Sequence, residues 1–262
     1  MRAQLPISLL IIMLQICTLS GQSSLFRETY SQAKFWTSIN SAVRLSKHWG
    51  VTADVHVRRR DFLNHSDFYF LRMGGAYWIN DQFSFVGGVA ALWLATDTEV
   101  GQHYALERRL YQQGLWRAVI GKVTFLQRIR TEQRWHQVLD RANASVDRVR
   151  FSSRFRFLMS AAIQVFRSSK FPRPTLSNEI LFHVGKEITY NTFDQNRVFL
   201  GINQRIAKNW TVDCGYMMVY QQRYSGNEYD LQHTFRLFFY YSPDFRKKMD
   251  DDLPHYPVGG IE

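Results

Sequence analysis

The sequence is poor in cysteine: of its two, Cys17 lies in the apolar opening stretch and Cys214 stands alone in the rest. Once the opening stretch is removed no internal disulfide can form, so the fold has to rest on packing and backbone pairing. Long apolar runs are also missing. After the opening stretch the longest spans about ten residues, Val86 to Ala95, well short of the ~20 that a membrane helix needs. Acidic residues are under-represented, 22 against 33 basic ones, for a formal charge of +11 that becomes +10 without Arg2. The eight histidines are scattered, so no metal constellation is legible, and no cofactor motif is present.

What is present begins with Arg2 and the apolar stretch Leu5 to Leu19, followed by Ser20, Gly21 and Gln22, the build of a secretory signal peptide. Cleavage fits after Ser20, with Thr18 two residues before, or less well after Gly21, where Leu19 takes that place. Leu5 to Leu19 is short for a retained anchor, and Leu14, Gln15 and Ile16 make a poor lipidation signal before Cys17. The expected division is a signal peptide over 1–21, a folded unit over 22–243 and a disordered tail over 244–262, which carries Lys247, Lys248, Asp250, Asp251, Asp252, Pro254 and Pro257. A strongly basic chain ordinarily raises nucleic-acid binding. An exported chain rarely meets nucleic acid, and here the basic residues are spread through strands.

Those strands announce themselves by alternation with period two, in segments of about ten residues or more. The first runs from Phe35 to Leu45. The next sets Val51, Ala53, Val55 and Val57 against Thr52, Asp54, His56 and Arg58. Others are centred on Phe68–Ile79, Phe83–Leu94, Tyr104–Trp116 and Val123–Trp135. The seventh places Phe151, Phe155, Phe157 and Met159 opposite Arg150, Arg154 and Arg156. Four more follow at Leu176–Gly185, Gln195–Ile206, Trp210–Gln222 and Asp230–Tyr241. Brief turns at Lys47–His48, Asn80–Gln82 and Ala207–Asn209 alternate with longer links at Arg59–Asp67, Thr96–His103 and His136–Arg148, the habit of short periplasmic turns and long outer loops. Each brief turn leads into an aromatic residue, Trp49, Phe83 or Trp210, at the depth of an interfacial girdle.

The pattern is that of an all-β protein, a closed antiparallel transmembrane β-barrel in the outer membrane of a Gram-negative bacterium. Eleven strands are visible, and antiparallel closure needs an even number, so a twelfth is expected within Ser24 to Lys34, with ten strands as the alternative. Membrane lipid and the barrel-assembly machinery are the expected partners, the latter reading Phe235 to Tyr241 or Phe245; the ligand is unknown. A soluble secreted β-sandwich shares the alternation, but the aromatics beside the brief turns favour the barrel.

Several segments resemble a known family: ERRLYQQ from Glu107, RIRTEQRW ending at Trp135, RFSSRFRF from Arg150, NEILF from Asn178, FDQNRVFLGINQ from Phe193 and NWTVDCGY ending at Tyr216. Together they resemble domain of unknown function 2490, over roughly Trp36 to Tyr241. The resemblance implies an outer-membrane β-barrel without an assigned activity and brings no catalytic residues.

The residues expected to face the lumen are Arg128, Arg130, Glu132, Arg134, Arg150, Arg154, Arg156, Glu179, Arg197 and Arg205. They would either brace a narrow barrel by mutual pairing or form an anion-selective constriction or acidic-ligand site. Strand five is ambiguous, since alternation alone does not assign Glu107, Arg108 and Arg109 to faces. The functions to weigh are a structural barrel or narrow anion-preferring pore, and, as an alternative, a lipid-modifying hydrolase drawing on His183, His233, Ser177 or Ser242.

Overall fold

The computed structural model describes residues 27–246 except 167, 169 and 170. The expected signal peptide and most of the expected tail lie outside those residues. Eleven strands follow one another: β1 (Glu28–Arg44), β2 (Trp49–Arg60), β3 (His65–Trp78), β4 (Phe83–Thr98), β5 (Gly101–Ile120), β6 (Val123–Leu139), β7 (Val146–Ile163), β8 (Arg173–Val184), β9 (Phe193–Ala207), β10 (Trp210–Gln222) and β11 (Glu228–Tyr241). Each pairs antiparallel with its neighbours in sequence, and the sheet closes where β1 meets β11. A β-sandwich is therefore overturned: the sheet is one closed barrel.

Closure corrects the expected strand number. A twelfth strand was expected within Ser24 to Lys34; of these residues, Glu28 to Lys34 are the beginning of β1, which runs 17 residues without a break, and Ser24 to Phe26 lie outside the described residues. With eleven strands, β1 and β11 must run the same way, and they pair in parallel from Glu28 opposite Glu228 to Ser41 opposite Tyr241. β1 also pairs with β2 and β11 with β10, so neither retains a free edge for a further strand. Parity alone could not anticipate this, because evenness is required only of a barrel whose every pair is antiparallel. The chain consequently enters β1 at one end of the barrel and leaves β11 at the other. Beyond β11, Asp244 still bridges Arg44 in the same parallel register, and the Phe245 amide donates to the Arg44 carbonyl, 2.9 Å.

The links differ from expectation for a related reason. Those at residues 61–64, 99–100 and 140–145 are shorter than expected, because polar residues such as Arg59, Asp97 and His103 continue the ladder above the apolar band. Conversely, residues 164–172 form a nine-residue link at the end where brief turns were expected.

Alternation sorts the two faces. In β2, Gly50, Thr52, Asp54, His56 and Arg58 are buried inward while Val51, Ala53 and Val55 are exposed outward. Outside, Val55, Ile129, Phe155, Phe157 and Leu200 are all exposed, and Val57, Phe125 and Val198 are half-exposed. The outward face is not uniformly apolar: Gln112 on β5 donates to Gln133 and accepts from Thr131, both on β6.

Trp49, Phe83 and Trp210 do share one end of the barrel, each beside a cross-strand aromatic partner: Tyr77 at 4.8 Å, Trp116 at 6.3 Å and Tyr241 at 4.8 Å between ring centroids. A second aromatic belt, not anticipated, lies toward the other end: Tyr69–Tyr104, Trp135–Phe151 and Tyr220–Tyr229. Eight residues separate Tyr77 from Tyr69 and twelve separate Tyr241 from Tyr229. At about 3.3 Å per residue and a tilt of about 40°, that is roughly 20 to 30 Å along the barrel axis.

Where β3 meets β4 and β9 meets β10, inward glycines face each other, Gly74 with Gly88 and Gly201 with Gly215. A methyl on Gly88 would come within 2.6 Å of the Gly74 Cα, and one on Gly201 within 2.5 Å of the Phe199 ring. These pairs let the backbones approach and leave space that large inward side chains from other positions occupy.

Candidate functional site

The lumen is built in two parts. On the wall made by β9, β10, β11 and β1, a cluster of Trp36, Phe199, Met217, Val219, Phe238 and Tyr240 is almost wholly buried. The wall made by β5 to β9 carries a lattice of ion pairs. Glu132 accepts from Arg154 at 2.6 and 2.9 Å and from Arg156 at 2.9 Å, with Arg109 at 3.5 Å and Arg130 at 3.7 Å. Glu179 accepts two bonds from Arg156, both 2.9 Å, one from Arg197 at 3.3 Å and a further one from Arg128. Glu107 is bound by Arg109 at 2.5 Å and in bidentate fashion by Arg134 at 2.9 Å. Asp194 receives Arg154 at 3.2 Å, and Asp54 pairs with Arg72.

Cross-strand register makes this lattice possible. Gln113, Arg130, Arg156 and Leu181 lie side by side across β5 to β8, and Tyr111, Glu132, Arg154 and His183 form the adjacent row. A carboxylate in one row therefore reaches guanidinium groups of two rows, which is how three glutamates serve seven arginines. Arginine's planar fork suits this sharing because it can bind two acceptors at once.

Of the expected lumen residues, Arg128, Arg130, Glu132, Arg154, Arg156, Glu179 and Arg197 converge inside, buried, and Arg134 joins them through Glu107. Arg150 faces inward at the mouth, 2.6 Å from the Tyr224 hydroxyl to which it donates, with its guanidinium over that ring. Arg205 does not belong: it is exposed at the β9–β10 turn and donates to the carbonyls of Ala207 and Lys208. Alternation puts Arg205 in step with Arg197, but the turn begins three residues later, at Lys208, so its side chain folds onto the turn instead.

The sequence reading missed Glu107, Arg109, Asp194 and the Asp54–Arg72 pair as members of the lattice. Asp54 and Asp194 were legible as polar positions in alternating strands; Glu107 and Arg109 fall in the run Glu107 to Arg109, where adjacent charges hide the face. The structure turns Glu107 and Arg109 inward and Arg108 outward, opposite Trp135.

The lumen opens at one end into a cavity of about 1000 Å³ at the mouth formed by the links around residues 61–64, 140–145, 185–192 and 223–227. Beneath it, Arg128, Arg130, Glu132, Asp54, Phe199 and Phe238 are each no more than 2% accessible. A water-filled passage would leave its lining accessible, so no such passage crosses this level.

The serine and histidine candidates are not brought together. Ser177 and His183 are six residues apart on β8, about 20 Å along a strand. His233 points outward, where its Nδ1 lies 2.6 Å from the Tyr216 hydroxyl. Among the described residues no group of three or more metal-ligating side chains converges, and no helix is long and apolar enough to cross a membrane, which says nothing of a β-barrel.

A closed barrel with a charged, centrally blocked lumen is the class these features define. The family described as protein of unknown function (DUF2490) matches residues 33–230, and the chain belongs to it. No match was found among curated proteins or among solved structures.

Proposed function

We propose that the protein is an exported outer-membrane β-barrel of a Gram-negative bacterium whose lumen is braced shut rather than open, leaving a basic vestibule at one end. The observation that carries the membrane reading is the outward face: between two aromatic belts, apolar residues such as Val55, Ile129 and Leu200 are more than half exposed while charges of the same strands point inward. In water so large an apolar surface favours aggregation, whereas in lipid it is the expected surface of a transmembrane barrel. The spacing of the belts matches an apolar band about 25 Å tall.

The blocked centre favours a structural or ligand-holding barrel over a diffusion pore. Any residual conductance would prefer anions, because the vestibule is cationic. By the habit of short periplasmic turns the Trp49 end would face the periplasm and the vestibule the exterior. The test is twofold. The protein should fractionate with the outer membrane and migrate anomalously on unheated detergent gels; a soluble periplasmic protein indifferent to heating would overturn the membrane reading. Liposomes containing it should not swell in small sugars, and swelling like that of an open pore would overturn the closed lumen.

A further inference from the structure

The vestibule has two unlike walls. On β3 and β4 it is lined by Phe68, Phe70, Leu92 and Leu94, which form one apolar cluster. Beyond β5, which alone separates them from β4, β6 to β8 present Arg134, His136, Arg150, Arg154 and His183. The change of character follows a single cross-strand row: Phe70, Leu92, Glu107, His136, Arg150. The apolar wall is not bare: the Arg58 guanidinium lies 4.4 Å over the Phe68 ring and those of Arg109 and Arg72 lie 5.4 and 5.7 Å from the centre of the Phe70 ring, so cationic groups and apolar side chains meet within one cavity.

Charge points the same way. Twelve cationic side chains line the cavity against five carboxylates. Including Glu132, Glu179 and Asp54 beneath it, together with Arg128 at the same level, makes thirteen cations against eight carboxylates. An excess of positive charge walled by low-dielectric protein is costly unless an anion compensates it. Arg150 has no carboxylate partner among the described residues and is held over the Tyr224 ring. Asn191, 2% accessible and lining the same cavity, has an Oδ1 without a hydrogen-bond partner among the described residues. That acceptor suits the O–H of a protonated or hydroxylated ligand beside the anionic group.

We infer that the vestibule is a binding site for an amphiphilic anion, a carboxylate or phosphate monoester bearing an apolar chain, with its head among Arg150, Arg134 and Arg154 and its chain against Phe68, Leu92 and Leu94. The site deepens the closed-barrel reading, since a ligand is retained only if the lumen is shut beneath it. Trp36 lines the same cavity and supplies a reporter.

The experiment uses the full mature barrel in neutral-lipid nanodiscs and follows quenching of tryptophan fluorescence by 11-bromoundecanoate and by 11-bromoundecyl phosphate. The Trp36→Phe variant subtracts quenching from the lipid phase. Saturable quenching of Trp36 is expected with both anions and not with 11-bromoundecyl-trimethylammonium. Arg150→Gln should weaken binding about tenfold, the scale of one hydrogen bond to a charged group. Leu94→Ser should weaken the eleven-carbon probe more than octanoate, measured by competition. If inorganic phosphate competes as well as octyl phosphate, the site takes free anions and the amphiphile assignment is overturned. Quenching by the trimethylammonium probe equal to that by the anions, or no quenching of Trp36 by either anion, overturns the site altogether. Arg150→Gln touches no ion pair of the lattice, so retained heat-dependent gel migration separates lost binding from lost folding. Swelling assays on the same samples separate failure of this site from failure of the closed lumen.

Discussion

The two walls of the lumen solve the same problem with opposite chemistry. On the β9–β11 and β1 side, Phe199, Phe238 and Trp36 fill space as a soluble core would. On the β5–β9 side, arginines and glutamates fill it with charge, and each charge is tolerable only because its partner is within reach. The difference teaches that closure here is not one property. The aromatic wall resists by volume and degrades gradually when trimmed; the ionic wall resists by mutual neutralisation and fails when one member is neutralised, because the rest are left buried and unmatched.

The largest expected effect, because it combines lost stability with a shift in selectivity, comes from breaking the ionic wall. Glu132→Gln removes the charge that Arg154 and Arg156 bind directly and that Arg109 and Arg130 approach, so urea unfolding in lipid should show a loss of about 3 to 5 kcal/mol. Residual conductance in planar bilayers should shift further toward anions. Unchanged stability with cation preference would mean that Glu132 neither braces the barrel nor sets its field.

Phe238→Ala tests the aromatic wall. It should cost about 3 to 5 kcal/mol by loss of buried contacts and a residual cavity, without changing ion preference. The comparison survives only if the two variants differ in selectivity. A Phe238→Ala barrel as anion-shifted as Glu132→Gln would show the lumen to be a single element.

Outside, the contrast between faces predicts that Phe157→Arg, opposite Ile129 in the middle of the apolar band, destabilises by about 2 to 4 kcal/mol. No loss in a lipid titration would mean that this face does not meet hydrocarbon. The smallest effect is expected at Arg205→Gln, within about 0.5 kcal/mol, since Arg205 is exposed and, among the described residues, its side chain donates to the carbonyls of its own turn and to no carboxylate. A loss comparable to that of Glu132→Gln would return Arg205 to the lattice.

Much of this was legible in advance for a simple reason: a strand with unlike surroundings on its two faces must alternate. Arg150, Arg154 and Arg156 against Phe151, Phe155 and Phe157 require a strand with one polar and one apolar side, and the eleven alternating segments coincide with the eleven strands to within a few residues at most ends. Link lengths were less legible. Alternation in β4 and β5 gives way to polar residues on both faces as the strands rise beyond the apolar band, so Thr96 to His103 resembles a loop although all but residues 99 and 100 pair. Glu107 was invisible as a bracing residue because two more charges follow it directly.

The sequence alone determined that the fold is all-β, the inward face of the strands other than β5 and the shared end of Trp49, Phe83 and Trp210, because these follow from period-two patterning and turn positions within single hairpins. Tertiary structure decided the rest. That β1 closes in parallel on β11 depends on contacts some 200 residues apart, which no local pattern encodes. Which carboxylate serves which arginine depends on the stagger between neighbouring strands, a quantity absent from any one strand. That the lumen is sealed below the mouth and hollow above it depends on where Gly74, Gly88, Gly201 and Gly215 leave room and which side chains from other strands enter it, and space is a property of the closed barrel alone.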